Sequence, residues 1–284
     1  MEDEEKAKLI NQALNKSASA FMFQIKGFEN EHTQKTFNKF IGYIKFFEDN
    51  VELLAKSITR LNYIPKDGWE PWDIDKQAQS VLISRTPKTL TSAHNLIIAG
   101  YYDEGLAVCR MAYENLLAIC FLQKNPQNAD SVLGYGFKKQ IIKQLPSIKQ
   151  FKPSNVLTQE LKIAEEDEMY SFLSMPIHGN KFAVWKDIMN AQKGCGFAFN
   201  LGFSYDEEDL SIAFNHLIAL LYLSLCLFKG IFGKYFKDSE MPCDDRAIEA
   251  LKIFIGDFPD NHYFAQFPGI VDKILTALQI KDNN

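Results

Sequence analysis

The chain has 284 residues, of which 46% are hydrophobic and 24% charged, and its formal net charge is −5. This composition excludes an intrinsically disordered chain, and the length is sufficient to bury a sizeable core without disulfides or metals. The acidic balance gives the molecule as a whole no electrostatic attraction to nucleic acid or to an anionic membrane. Its five cysteines include no C-x-x-C pair, which predicts a reducing compartment rather than a disulfide framework or a structural zinc site.

The N-terminal sequence MEDEEKAKLI is acidic and lacks an apolar stretch, so we expect no signal peptide and predict a cytoplasmic protein. Residues 210–228 test that prediction, because they carry no charge over nineteen residues and reach the length of a membrane span. Asn215 and His216 lie within this stretch and would be costly in lipid. We therefore predict a buried central helix there and no membrane partner.

The first strong pattern predicts a long N-terminal helix. Apolar residues alternate at spacings of three and four, which is a heptad seam on one helix. The seam consists of Phe37, Phe40, Ile44, Phe47, Val51, Leu54, Ile58 and Leu61. Such a seam can pack against a partner subunit or against another helix of the same chain. Additional apolar residues beside it, such as Ile41 and Phe46, widen the stripe and favour packing inside a bundle.

Capping signals predict the next two helices. Thr86 followed by Pro87 is an N-cap and first-turn pair. Gly100 marks the expected end of the helix that this pair starts. A second helix is expected from Asp103, as its N-cap, to about Lys124.

The same signals recur further along the chain. The pair Asn125-Pro126 predicts the start of another helix. The pattern from about residue 156 predicts a further helix that continues to residue 178 and stops at Gly179. Between residues 182 and 203, three glycines and alternating aromatic residues favour a loop or one short hairpin instead.

Together these elements predict an all-α fold, a multi-helix bundle around the apolar helix near residues 210–236. Acidic residues at 206–209 suit the first turn of that helix because the helix dipole favours them there. Two shorter helices are expected after Pro242, the second from Gly269. We predict a helical region at 1–64, a main bundle at 75–236 and a C-terminal cap at 243–284, packed as one compact unit.

Two charged residues stand out in the otherwise apolar helix near residues 103–124. Arg110 and Glu114 are four residues apart, so they share one face of the helix and can pair. In a largely buried helix, two opposite charges are tolerated because each compensates the other. The pair is therefore either a structural ion pair or part of a polar pocket between helices.

A second polar group lies in the stretch YSFLSMPIHGN, residues 170–180. Ser171, Ser174 and His178 follow at spacings of three and four, so a continuous helix would place them on one side. Pro176 would kink that helix because it removes a backbone hydrogen bond. His178 is explained either by the helix dipole, which stabilises a histidine at a helix C-terminus, or by a catalytic role.

The two stretches together resemble a known group of proteins. The sequence EGLAVCRMAYENLLAICFLQKNP, followed by MYSFLSMPIHGN, is similar to an uncharacterised group of bacterial all-helical proteins. Members of that group have an Arg-x-x-x-Glu helix and a later Ser-x-x-x-His helix end. The group is distantly similar to HEPN (higher eukaryotes and prokaryotes nucleotide-binding) proteins, small helical bundles of toxin–antitoxin and phage-defence systems.

The HEPN likeness implies a dimer and, in active members, metal-independent RNA cleavage through an arginine that is separated from a histidine by four to six intervening residues. The histidine of that motif falls on His178. Its arginine would fall at Ser171, Phe172 or Leu173, none of which is basic, so no local cation stabilises the phosphate charge. Arg110 can supply that cation only through a tertiary contact. The composite site that this implies consists of Arg110, Glu114, Ser174 and His178.

Two further patterns concern metals and RNA. The motif Glu29-x-x-His32 is a single copy of one that di-iron bundles need twice, so we predict a solvated helix start and no metal. No established cofactor signature occurs in the chain, and we predict no cofactor. A stripe of lysines can follow a phosphate backbone, although a solvated lysine face is the simpler interpretation. The stripe consists of Lys138, Lys139, Lys143, Lys149 and Lys152.

We therefore predict a non-catalytic binding or regulatory protein, placed in a bacterial defence or toxin-like system by the resemblance alone. Two alternatives stay open. One is a divergent HEPN-type ribonuclease that uses the composite site, and the other is a bundle that binds a nucleotide or small molecule without turnover. The expected partner is a protein or a second copy of the chain, and RNA is the partner in the ribonuclease alternative.

Overall fold

The structure of the protein is a computed structural model that describes residues 2–62, 74–129, 132, 151–163, 167–175, 205–236, 241–243, 245–257 and 262–280. These residues form α-helices and short 3₁₀ and π turns, with no strand among them, which confirms the all-α prediction. The hairpin predicted near 182–203 lies outside the described residues. The helices are α1 (Glu2–Asn62), α2 (Ile74–Ile98), α3 (Tyr102–Lys124), α4 (Glu168–Ser174), α5 (Glu207–Phe232), α6 (Asp245–Gly256) and α7 (His262–Ala277).

Helix α5 lies at the centre of the bundle because it is apolar on every side. All side chains from residue 213 to residue 228 are buried, and α5 packs against α1, α2, α3, α6 and α7. The carboxylate of Asp206 caps its N-terminus by accepting hydrogen bonds from the backbone N–H groups of Glu208 and Asp209, at 2.9 and 3.1 Å. The acidic first turn predicted for this helix is therefore confirmed.

Among the helices that the structure describes, α3 and α5 meet the length and hydropathy of a membrane span by composition alone. In the most apolar eighteen-residue stretch of each helix, most of the stretch is buried inside the bundle, 67% in α3 and 89% in α5. Core helices of globular folds pass the same test, because a helix that is apolar all round is suited to complete burial. The buried central helix predicted from the sequence is confirmed.

Helix α1 shows how the heptad seam is used. From Ile44 onward the seam faces the core, where Ile44, Phe47 and Leu54 are fully buried, whereas Phe37 at its start is 40% exposed. The seam therefore packs within the chain, as its width predicted. The backbone leaves helical geometry at Phe40 (φ −113°, ψ 21°). This kink divides α1 into an outer part, residues 2–39, and an inner part, residues 41–62.

Two helix starts were predicted wrongly, and both errors involve proline. Helix α2 begins at Ile74 rather than at Thr86, and Pro87 lies in its interior. Helix α7 likewise begins at His262 and contains Pro268. A proline inside a helix costs about 3 kcal/mol because it removes a hydrogen bond and crowds the preceding turn. The burial of apolar side chains on both sides of the proline offsets that cost in each helix.

The continuous helix predicted from residue 156 to residue 178 is broken. Pro153–Asn155 form a 3₁₀ turn and Val156–Glu160 a π turn, and Lys162 has a left-handed backbone (φ 56°). The chain becomes helical again in α4, where Asp167 is the N-cap. Helix α4 ends before Pro176, and residues 176–204 lie outside the described residues.

Candidate functional site

A polar cluster with charges of both signs lies between α3 and α4. Its three members on α3 are spaced three and four residues apart and so share one face of that helix, while its two members on α4 are one turn apart. Most of α3 is buried, so charges on this face must find partners inside the fold. The cluster, called here the α3–α4 cluster, consists of Arg110, Tyr113, Glu114, Asp167 and Tyr170.

Arg110 is the cation of the cluster, and its partners there include Glu114 and Tyr170. Its Nε donates to Glu114 Oε1 at 3.0 Å, and its Nη2 donates to the hydroxyl of Tyr170 at 2.9 Å. The guanidinium carbon also lies 4.9 Å from the centre of the Tyr170 ring. Burial opposes the charge of Arg110, yet the hydrogen bonds with Glu114 and Tyr170 raise its pKa overall. Arg110 therefore remains charged.

Glu114 is the anion that compensates this charge. Its Oε1 accepts from Arg110 Nε and lies 3.4 Å from the Tyr170 hydroxyl. The side chains of Arg110 and Glu114 are 14% and 31% exposed, so solvent screens the pair only partly. Burial, and then the nearby charge of Glu114, raise the pKa of Tyr170. Within these three side chains, the carboxylate of Glu114 balances the positive charge of Arg110.

Asp167 is the second anion of the cluster, and only one of its oxygens is satisfied. Oδ1 accepts from the backbone N–H of Tyr170 at 2.9 Å and from the hydroxyl of Tyr113 at 3.0 Å. Oδ2 is buried and has no hydrogen-bond partner among the described residues. Burial raises the pKa of Asp167 to about 6, although the two hydrogen bonds lower it. Asp167 Oδ2 is thus the acceptor in the cluster that has capacity for another donor.

The other members of the predicted composite site do not join this geometry. The hydroxyl of Ser174 donates to the carbonyl of Tyr170, one turn earlier in α4, and is therefore used within its own helix. Ser171 is exposed. His178 lies outside the described residues. The structure brings Arg110 together with Glu114 as the sequence predicted, and it adds three residues from the cluster that the sequence interpretation missed.

The missed residues are Tyr113, Asp167 and Tyr170. A weak signal for two of them exists in the sequence, since Asp167 precedes Tyr170 by three residues, the spacing at which an N-cap carboxylate meets a backbone N–H. Tyrosines in an apolar helix are usually core residues. Only the packing of α4 on α3 shows that the hydroxyl of Tyr170 accepts a hydrogen bond from Arg110 and that the hydroxyl of Tyr113 donates one to Asp167.

The predicted lysine stripe has one member in the part of the chain that the structure describes. Lys152 is exposed and precedes the 3₁₀ turn at Pro153–Asn155. Lys138, Lys139, Lys143 and Lys149 lie outside the described residues. The RNA-binding stripe therefore stays a prediction.

Glu29 and His32, predicted to lie at a solvated helix start, are instead tied to the turn between α2 and α3. His32 is 3% exposed, with Nδ1 2.8 Å from the carbonyl oxygen of Ile98 and Nε2 2.6 Å from the hydroxyl of Tyr102. The carboxylate of Glu29 accepts from the hydroxyl of Tyr101 at 2.6 Å. Tyr101, rather than the predicted Asp103, is also the N-cap residue of α3. Both side chains thus attach α1 to the bundle.

These features define the class of the protein as an all-α bundle with a partly buried polar cluster in which Arg110 is paired with Glu114. Comparison of the chain with protein-family models, with curated proteins and with solved structures finds no significant match. The resemblance to HEPN proteins stays a prediction, and the function is argued from the α3–α4 cluster.

Proposed function

We propose that this protein is a non-catalytic helical binding or regulatory protein that acts in a bacterial defence or toxin-like system. The defence role is taken from the resemblance of residues 104–126 and 169–180 to HEPN-like proteins. The lack of catalysis is argued from Arg110, whose guanidinium is paired with Glu114 and hydrogen-bonded to Tyr170. That pairing is the observation that supports the proposal most directly.

An arginine promotes phosphate cleavage only if its charge faces the reacting phosphate. In the α3–α4 cluster, an RNA phosphate that replaced Glu114 at Arg110 Nε would leave a partly buried carboxylate unpaired. Breaking a buried ion pair costs on the order of 3 kcal/mol, which corresponds to about a hundredfold loss of rate. A site organised in this way favours a structural or recognition role over RNA cleavage.

Incubation with single-stranded RNA in the presence of EDTA tests the proposal. The wild-type chain, Arg110→Ala and Glu114→Gln should all leave the RNA intact. Lys56→Ala is the matched control, because it removes the cation of an exposed ion pair with the same four-residue spacing. Circular dichroism checks that each variant is folded. Cleavage by the wild type that disappears in folded Arg110→Ala and persists in Lys56→Ala would refute the proposal in favour of the ribonuclease.

A second candidate, binding of a nucleotide or small molecule without turnover, is favoured by one observation. The buried Oδ2 of Asp167 has no hydrogen-bond partner among the described residues, and a ligand amino group would supply one. Guanosine carries such an amino group and inosine lacks it. If this candidate holds, guanosine raises the melting temperature of the wild type more than inosine does, and Asp167→Ala abolishes the difference. Equal melting temperatures with both nucleosides would reject binding of this amino group at Asp167.

A further inference from the structure

The outer part of α1 carries a line of exposed residues. Phe23 is 81% exposed, Phe37 is 40% exposed, and Ile41, just past the kink, is 42% exposed. Residues at spacings of three, four and seven share one helix face. Between Phe23 and Phe37, this face carries one glycine and two side-chain amides. The line, called here the α1 stripe, consists of Phe23, Gly27, Asn30, Gln34, Phe37 and Ile41, and all six are exposed in the described structure.

The opposite side of the same segment holds α1 on the bundle. His32 and Thr36 are buried there, and Glu29 bonds Tyr101 in the turn that precedes α3. Because those contacts fix the rotation of the helix, the α1 stripe faces away from the bundle. The space over Gly27 is open, since a Cβ placed there would lie more than 4 Å from every described heavy atom beyond its chain neighbours and the backbone of its own helix turn.

We propose that the α1 stripe binds the α1 stripe of a second copy of the chain, with the two helices antiparallel. With the two-fold axis at the level of residue 32, Phe23 faces Ile41 of the second copy, and Gly27 faces its Phe37. The absent side chain of Gly27 leaves room for the ring of that phenylalanine. Asn30 faces Gln34 of the second copy, and the two amides can exchange hydrogen bonds. Symmetry repeats each pair once more.

In a parallel arrangement of the two helices, the residues of the α1 stripe would pack less well. That arrangement would place Gly27 opposite Gly27 of the second copy and leave a gap between the helices, where packing contacts are lost. The antiparallel arrangement instead matches each small or amide-bearing position with a suitable partner. This inference does not depend on the α3–α4 cluster, and it goes beyond the proposed function by naming the partner.

The size of the α1 stripe indicates how tight the dimer is. The stripe spans about 27 Å of helix. Taking about 200 Å² for a whole phenylalanine side chain, Phe23 and Phe37 expose roughly 240 Å² in each copy. Stable interfaces bury roughly 1,200–2,000 Å² in total over both partners. The dimer is therefore weak, and monomer and dimer exchange with concentration.

Sedimentation equilibrium over a range of concentrations tests the surface. The wild type should show a monomer–dimer equilibrium, and Phe23→Glu and Phe37→Glu should each raise its dissociation constant at least about tenfold. Ile253→Glu is the matched control, because Ile253 is also apolar and 56% exposed but lies on α6. It should leave the equilibrium unchanged. A wild type that is monomeric up to roughly 1 mM would overturn the proposal, whatever vesicle or other protein the stripe then proves to bind.

Disulfide trapping tests the direction of the helices. Asn30→Cys and Gln34→Cys are made separately in a Cys195→Ser background, since Cys109, Cys120, Cys226 and Cys243 are buried. In the antiparallel dimer, equivalent residues are offset by about 6 Å along the axis, too far for a disulfide across the two helices. A disulfide-linked dimer is therefore expected only when the two variants are mixed. Cross-linking of either variant alone, or none in the mixture while the wild type dimerises, would overturn the proposal.

Discussion

The charge of Arg110 is balanced by Glu114 on the same helix, and its guanidinium also donates a hydrogen bond to Tyr170 on α4. Glu114 comes from one turn further along α3, so the pair forms as soon as α3 does. Tyr170 comes from α4 and adds a hydroxyl acceptor. Because the Arg110 side chain is only 14% exposed, each of these contacts replaces hydration that the guanidinium loses on folding.

His216 is a buried histidine whose environment favours the neutral ring. It stacks on Phe172, with ring centres 4.4 Å apart, and meets the edge of Phe264 at 4.7 Å. Its Nδ1 lies 2.8 Å from the carbonyl oxygen of Ile212 and donates to it. Burial lowers the pKa of His216 to about 4 from its ordinary value of 6.5. The unfolded chain therefore binds a proton at a higher pH than the folded protein does.

This difference predicts how stability changes with pH. Between the unfolded and folded pKa values the unfolded state binds more protons, so acidification destabilises the fold, and the loss begins below about pH 6.5. His216→Phe keeps the ring stacking and removes this titration. From pH 7 to pH 4.5, we expect the wild type to lose about 2–3 kcal/mol more unfolding free energy than the variant.

Urea unfolding at the two pH values measures the difference. Other groups that titrate in this range, such as His94 with its pKa lowered to about 4 by burial, are present in both proteins and cancel. Asp167 acts in the opposite direction, because burial raises its pKa to about 6 and its charged form is disfavoured in the fold. It too cancels in the comparison. Equal pH dependence in both proteins would contradict the assignment of His216 as a neutral core residue.

At the scale of elements, two glycines allow close approach between helices, Gly100 beside His32 of α1 and Gly105 between α3 and α2. Gly100 has a left-handed backbone (φ 97°), and a Cβ there would lie 2.9 Å from the ring of His32. Gly105 lies where α3 meets α2, and a Cβ there would lie 2.5 Å from Ile97 Cγ1 and 3.2 Å from the carbonyl oxygen of Ala93. An added methyl group would therefore push the two helices apart.

Substitution of Gly105 tests this packing. Gly105→Ala should lower the unfolding free energy by about 1–3 kcal/mol because the methyl group overfills the contact. Gly42→Ala is the control, since the space around Gly42 is open to at least 4 Å, and alanine should stabilise that helix by about 0.5–1 kcal/mol. Chemical denaturation of the three proteins gives both values. Stabilisation by Gly105→Ala would show that α2 and α3 pack less closely than described.

The elements that the sequence predicted correctly include those in which burial repeats with the helix period. The inner part of α1 follows that rule, because its apolar positions report which face meets the core. Helix α5 was predictable for a different reason, since a helix that is apolar on every side is suited to complete burial. The errors fall where a local signal competes with packing. Pro87 suggests a helix start, but buried side chains before and after it keep α2 continuous. The π turn at Val156–Glu160 has no comparable local signal.

The candidate site likewise contains residues that the sequence predicted and residues that it did not. Arg110 and Glu114 were predictable because a spacing of four within one helix fixes their proximity. Asp167 and Tyr170 belong to α4, and their contact with α3 depends on how the chain folds between the two helices. Sequence spacing does not contain that information. The predicted role of His178 stays a prediction.

At the scale of the whole molecule, the bundle buries its apolar side chains, whereas the outer part of α1 exposes several of its own. The bundle buries the heptad seam from Ile44 onward around α5, so the seam is not available to a second subunit. A charge at Phe47, which stacks on His94 with ring centres 4.5 Å apart, would disrupt the core rather than test dimerisation. The exposed α1 stripe is where self-association is expected.

The central claim is that Glu114 compensates Arg110 inside the fold, so that the bundle recognises rather than cleaves. A double-mutant cycle with Arg110→Ala and Glu114→Ala, measured by urea unfolding, tests it most directly. The exposed Lys56–Glu52 pair, with the same four-residue spacing, is the reference.

We expect a coupling free energy of about 1–3 kcal/mol for Arg110 and Glu114, against about 0.3–0.5 kcal/mol for the exposed pair. A coupling no larger than that of the exposed pair would contradict the account, because Arg110 would then be available to a substrate.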